Sequence, residues 1–381
     1  MYSKTQEKGL DIAMRTKHDL NTTQHNTTQH NTTQHNTTQH NWGIISKYRT
    51  ELMGIATLFV LLLHGNAFNW PEKIHFILKM IAEGNVGVDI FLFLSGIGLY
   101  FSMRKNANIL EFYGRRFLRI IPSYLILAIP LYTILVLILD SKSFFDYIMN
   151  LSSVGFWLPN FRDSASWYVA FIIPLYLLYP LLYYCFDRFY EKKIYFFFTF
   201  IVLALLLELL LDIFCQEYFT QIEIAITRLP IFITGCHCAN LVYEKAEIKL
   251  LSIKLILWGI IFLSIRIANM MLIDEQNILY DAIVHNSKFF LAFIIIWLVC
   301  IIFEHFGNIH KGQISNLLKF FNFFGRYSFE VYIAHTLLNV IYLHSFMYSL
   351  YPQFWIYYLV IVPVSIFIAV AVKKIITLTD K

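Results

Sequence analysis

Apolar runs of near 20 residues recur along this chain from about residue 50 onwards. A run of that length is what an α-helix needs to cross the roughly 30 Å hydrocarbon core of a bilayer. Charged residues make up only 14% of the chain, against about 25% in soluble domains. A membrane barrel would alternate polar and apolar residues over ~10-residue segments, and these runs do not alternate. The predicted fold is therefore all-α, a polytopic membrane protein of about ten transmembrane helices. The spans fall at 48–68, 85–103, 117–139, 167–186, 194–214, 226–243, 250–268, 287–304, 322–347 and 354–372. The transmembrane domain as a whole is expected over 47–374, with a short tail at 375–381.

Basic residues sort by loop. One set of connections holds Arg104, Lys105, Arg115, Arg116, Arg188, Lys192, Lys193, Lys245, Lys249, Lys311 and Lys319, with Lys373, Lys374 and Lys381 after the last span. The opposite set holds fewer: Lys73, Lys79, Lys142, Arg162 and, at a helix edge, Lys288. Because lysine and arginine are retained on the cytoplasmic side, this asymmetry predicts both termini in the cytoplasm. Residues 1–46 are polar and lack the apolar h-region of a signal peptide, so the first span is expected to act as its own insertion signal.

The polar tail carries four copies of Asn-Thr-Thr-Gln-His over 21–40, followed by Asn41. It has no apolar face to bury and is expected to be disordered. Tandem copies of the pentanucleotide CAACA translate to this same pentapeptide, which predicts a slippage-prone tract able to switch the reading frame before the first span; an ordinary 15-base repeat, which keeps the frame, is the alternative. The five cysteines lie mostly within apolar helical sequence. Cys236-His237-Cys238 lacks a second ligand pair at zinc-site spacing, so it reads as helix packing and no metal is expected.

The chemistry-bearing residues concentrate between His64 and Pro122. His64 ends the first apolar helix, Asp89 opens the second, and Arg115, Arg116 and Arg119 open the third. Such groups cost about 2.5–3.5 kcal/mol each at the bilayer centre on insertion scales, which marks them as functional candidates. His64 lies about 22 Å along the helix from Arg49 at 1.5 Å per residue, at a depth similar to that of Asp89. A carboxylate that fixes an imidazole tautomer makes a general base. The plainer alternative has His64 bonding a neighbouring helix and Asp89 capping its own. Arg116 and Arg119, at i and i+3, share a face suited to phosphate oxygens; basic residues at an inner helix end also serve topology and lipid headgroups.

Together these segments resemble the acyltransferase-3 family of integral membrane O-acyltransferases, over about residues 48–372. Met53 to His64 is similar to the family's first helix, which ends in its catalytic histidine. Gly87-Val-Asp89-Ile-Phe-Leu-Phe-Leu-Ser95-Gly96 is the closest likeness. Tyr113-Gly-Arg115-Arg116-Phe-Leu-Arg119-Ile-Ile-Pro122 resembles the family's RxxR segment, associated with the acyl-CoA donor. Trp167 to Pro180 keeps the family's spacing, and Gly325-Arg326-Tyr327-Ser328-Phe-Glu330-Val-Tyr332-Ile-Ala-His335 resembles a late family helix. Two positions depart. Met53 stands where many members have arginine, with Arg49 one turn earlier, and Ile172-Ile173 stand where many have glutamate.

The resemblance implies transfer of an acyl group, most simply acetyl, from cytoplasmic acyl-CoA to a hydroxyl of a cell-surface glycan such as lipopolysaccharide, capsule or exopolysaccharide. It implies a multi-pass protein of a bacterial inner membrane, with the bilayer and the glycan as partners and no nucleic acid. His64 and Asp89 are the expected catalytic pair, with His64 either a general base or an acyl-accepting nucleophile. Arg115, Arg116 and Arg119 are expected to bind the CoA phosphates. Trp167, Tyr168, Glu330 and His335 are expected on the substrate side, with interfacial anchoring an alternative for the aromatic pair and an interhelical hydrogen-bond network for the other two. A contrasting function is a polysaccharide or lipid-linked glycan exporter, which needs polar residues through the bundle but no reactive group. A purely structural protein leaves the intramembrane His, Asp and Arg residues without a reason.

Overall fold

The computed structural model describes residues 41–71, 83–159, 167–273, 277–309 and 313–379. Lys73, Lys79, Arg162, Lys311, Lys381 and the pentapeptide repeat up to His40 lie outside them. Among the described residues the chain is helical, with two isolated β-bridges and no strand. Nine helical segments among the described residues are long and apolar enough to cross a membrane.

A short helix, α1 (Gly43–Lys47), precedes the first span. Residues 43–47 were expected largely in the polar tail. They fold because Ile44 and Ile45 are buried, Trp42 packs edge-on against Trp297 at 5.3 Å, and Lys47 Nζ lies 2.6 Å from Glu304 Oε2. The first three spans are α2 (Arg49–His64), α3 (Val86–Lys105) and α4 (Ile109–Tyr132), the last continued by a π-helical turn to Leu139. Next come α5 (Phe144–Leu151), outside the spans, then α6 (Trp167–Tyr183) and α7 (Lys193–Phe214).

The sixth span begins at Gln216 rather than 226 and has two helices, α8 (Gln216–Ile226) and α9 (Leu229–Tyr243). Its polar first half did not read as a span; Glu223 is accommodated there by His285 Nδ1, 2.6 Å away. The following spans are α10 (Leu251–Leu272) and α11 (Ile278–Ile309).

The single helix expected over 322–347 is broken into α12 (Gln313–Arg326) and α13 (Ser328–His344). Gly54 of α2 and Gly325 of α12 let these helices touch backbone to backbone. A Cβ on Gly325 would stand 1.8 Å from the Thr50 carbonyl oxygen, and one on Gly54 would stand 1.9 Å from that of Phe321. From the break, α13 departs to pack on α4 and on the last span. With 17 residues it is the tenth apolar helix. The last span runs Phe354–Leu378 and ends in α14 (Val362–Thr379), through most of the expected 375–381 tail.

Burial separates the centre of the bundle from its rim. The apolar window of α3 is 83% buried inside the protein, against 11% for α7 and 6% for α10. Helix α3 packs against α2, α9 and α11, whereas α7 and α10 present leucine and isoleucine outward. In a bilayer that surface faces lipid, which is as apolar as leucine.

Candidate active site

Two cavities lie near His64, which lines the second of them. The first is a channel between α2, α3, α4, α6 and α13. Its basic end holds Arg116, Arg119, Arg326 and Lys373, with Arg49 further in; its other end reaches Val60, Val88 and Tyr332. It is narrow, with a volume of about 90 Å³. The second is a wide cleft of about 1350 Å³ on the same measure, lined by His64, Trp167, Thr336 and Asn339 and by the α7–α8 corner.

The arginines divide by orientation. Arg116 and Arg119 line the channel, and Arg116 Nε is buried without a hydrogen-bond partner among the described residues. Arg115, expected beside them, instead donates through Nη2 to the carbonyls of Ser102 (3.2 Å) and Asn106 (3.1 Å). Its Nη1 lies 3.7 Å from Glu111 Oε2. Adjacent helical residues do not share a face, so only one of the Arg115–Arg116 pair faces the channel. Arg49 reaches it as well, with Nη2 3.3 Å from the Leu94 carbonyl. Gly98 makes the room, since a Cβ there would stand 2.5 Å from Arg49 Nη2. Met53 lines the same wall, so Arg49 brings a guanidinium to the neighbourhood of the departed arginine.

Glu330 sits in the channel wall, 1% exposed. Its Oε1 accepts from Ser123 Oγ and Lys373 Nζ, both at 2.8 Å, while Oε2 has no hydrogen-bond partner among the described residues. Five cationic side chains thus share the channel with one carboxylate. Such a surplus in a low-dielectric groove attracts a polyanion. Tyr168 lines the channel and its ring packs 5.3 Å from that of Tyr332, whereas its neighbour Trp167 lines the cleft.

His64 is held by a second histidine. His335 Nδ1 lies 2.9 Å from the Val331 carbonyl, and its Nε2 lies 3.1 Å from His64 Nδ1. His64 Nδ1 is also 3.0 Å from the Val60 carbonyl. A carbonyl only accepts, so His335 Nδ1 carries a proton, and in the neutral ring Nε2 presents its lone pair. His64 Nδ1–H then donates to both Val60 O and His335 Nε2. This pattern assigns the lone pair of His64 to Nε2. His335 is buried and His64 partly exposed at the cleft.

Asp89 is elsewhere engaged. It lies 3% exposed, with Oδ1 3.8 Å from Arg228 Nε, whose side chain is 1% exposed. The Arg228 guanidinium stands 5.4 Å over the Trp167 ring and donates to the Ile224 carbonyl. Lys288 bonds Asn85 and lies 3.6 Å from Glu83, which also accepts from Arg266 at 3.1 Å. The expected Asp89–His64 contact is therefore replaced by two: His335 holds the imidazole, and Asp89 holds Arg228 against Trp167. Similar depth in the bundle did not make Asp89 a neighbour, because α13 fills the space beside His64.

Sequence reasoning missed Arg228, which lies at the helix break just before Pro230, and Asn339. Asn339 lines the cleft one turn beyond His335, and its buried Oδ1 has no hydrogen-bond partner among the described residues. The i, i+4 spacing from His335 is the signal that finds it. Cys236 and Cys238 are buried, and the His237 ring packs 4.5 Å from that of Phe197.

The described residues form a multi-helix membrane bundle with a cationic channel and a wide cleft lined by a hydrogen-bonded imidazole. Residues 52–374 match the family model described as an acyltransferase domain, acyltransferase-3. The chain belongs to that family and is a multi-pass membrane acyltransferase. No curated protein and no solved structure matches it.

Proposed function

We propose that the protein moves an acyl group, most simply acetyl, from cytoplasmic acyl-CoA to a hydroxyl of a surface glycan such as lipopolysaccharide, capsule or exopolysaccharide. One observation carries this reading: the cationic channel reaches Val60, whose carbonyl lies 3.0 Å from His64 Nδ1, and the wide cleft is lined by His64 itself. Its direction rests on the lysine and arginine asymmetry, which makes the basic end cytoplasmic in the inner membrane.

Arg116, Arg119, Arg326 and Lys373 would hold the CoA phosphates at the channel mouth, with Arg49 further in. The slender pantetheine arm, rather than the nucleotide, would enter this small channel. The thioester supplies the activated acyl carbon near Val60 and Tyr332. In the cleft, Trp167 and Asn339 would hold the acceptor sugar. His64 Nε2 takes the proton of the acceptor hydroxyl as its oxygen bonds the acyl carbon. The carbon–sulfur bond breaks, and the proton passes to the departing thiolate. His335 Nε2 and the Val60 carbonyl stabilise the transient imidazolium through Nδ1–H.

Glycan export, the contrasting function, gives no reason for an imidazole held in one tautomer beside so narrow a passage. The test is purified protein with labelled acetyl-CoA and surface glycan. Acyl transfer predicts labelled ester that is lost in His64→Ala. Absence of ester, with His64→Ala still competent in glycan export, would favour transport. The repeat tract further supports a phase-variable gene, for which identical codons in every copy are expected; scattered synonymous codons would contradict it.

A further inference from the structure

A third cavity, of about 480 Å³, opens between α7, α8, α10 and α11, on the lipid-facing rim. Its walls are almost wholly apolar, including Ile201, Leu205, Ala282 and Phe290. Glu208 and Asn286 interrupt them. Glu208 is 6% exposed, and its Oε2 accepts from Asn286 Nδ2 at 2.6 Å. Its Oε1 is buried with no hydrogen-bond partner among the described residues. One turn towards the end of α7, Asp212 Oδ1 is in the same state. An unmatched carboxylate oxygen at this depth is expensive unless something supplies a donor.

The cavity neighbours the His64 cleft along α7 and α8. On α7, Leu209 lines the cavity and Ile213, one turn on, lines the cleft. On α8, Phe219 lines the cavity while Tyr218 and Thr220 line the cleft. Glu208 lies six residues before the end of α7 at Phe214, about 9 Å along the axis.

We propose that this cavity is the tail site of a lipid-anchored acceptor: an alkyl-chain lipid whose hydroxyl or amide N–H, next to its head, donates to Glu208, while its sugar reaches the cleft. The role as acceptor site rests on the acyl-transfer reading above. The lipid site itself is separately testable.

The probe is glucosylceramide with a diazirine and an alkyne in its acyl chain, which offers a chain, donors and a sugar. The comparator is phosphatidylcholine bearing the same photoreactive chain. Full-length protein in nanodiscs is irradiated without acyl-CoA, and the labelled peptides are mapped. Glucosylceramide is expected to label α7 and α11 about tenfold more than phosphatidylcholine, as one hydrogen bond to a charged group allows. Glu208→Ala is expected to reduce that preference to below about twofold by the same reasoning. Leu205→Trp fills the cavity from an exposed position, where the fold tolerates it, and is expected to cut labelling about fivefold or more by steric exclusion. Equal labelling by both lipids, or undiminished labelling of Leu205→Trp, would overturn the proposal. Loss of acyl transfer without loss of labelling would instead overturn the enzymatic reading and leave this site standing.

Discussion

Two clusters of charge lie inside this bundle, and they are built on opposite plans. Around Asp89, opposite charges are matched: Asp89 with Arg228, Glu83 with Lys288 and Arg266. In the channel, Arg49, Arg116, Arg119, Arg326 and Lys373 face a single carboxylate, Glu330. The first cluster pairs two carboxylates with three cations and sets Arg228 5.4 Å over the Trp167 ring, with Asp89 Oδ2 and Arg228 Nε buried without a hydrogen-bond partner among the described residues. The second has a surplus of positive charge that a ligand would complete. Charge within a span is thus a weak indicator of chemistry, and the pairing decides which cluster holds the fold and which holds a substrate.

Breaking the matched cluster should have the largest effect. Asp89→Ala leaves Arg228 buried and unpaired and is expected to cost about 3–5 kcal/mol of stability, read as loss of folded protein in detergent. Asp89→Leu with Arg228→Met should recover most of that loss, because replacing both charges removes the unpaired group. No recovery would mean that the pair does more than position helices.

In the surplus cluster, Arg116→Ala and Arg119→Ala should fold normally and raise KM for acyl-CoA about 10–100-fold each, the worth of a charged hydrogen bond. His335→Ala should lower kcat about 10–100-fold with little change in KM, as the tautomer of His64 is released, and His335→Gln should recover part of it. Arg115→Ala is the smallest change expected. Its ion pair is partly exposed, so about 0.2–1 kcal/mol of stability is at stake, and KM should stay within about twofold because the side chain leaves the channel. A large KM effect for Arg115 would erase the distinction between it and Arg116.

The spans were legible because apolar length alone specifies a membrane helix. The break at Arg326–Ser328 was not, because hydropathy carries no direction and the cause is a backbone contact at Gly54 and Gly325. His64, Arg116, Arg119 and His335 stood out as polar groups in apolar sequence; Arg116 and Arg119 line the channel, His64 lines the cleft, and His335 lies buried 3.1 Å from His64. The partner of His64 was misjudged, since depth along two helices does not say which third helix stands between them. Arg228 was hidden because its meaning lies in Asp89 and Trp167, distant in sequence and joined only by packing.

His64, which lines the cleft one turn from Val60 of the channel, is proposed to perform acyl transfer. The most direct measurement is the acyl-ester content of surface glycan from cells carrying the wild-type gene or His64→Ala at equal protein abundance. The account predicts ester in the wild type and a loss of about 100-fold or more in the variant, the scale of general-base catalysis. Equal ester content in both would contradict it.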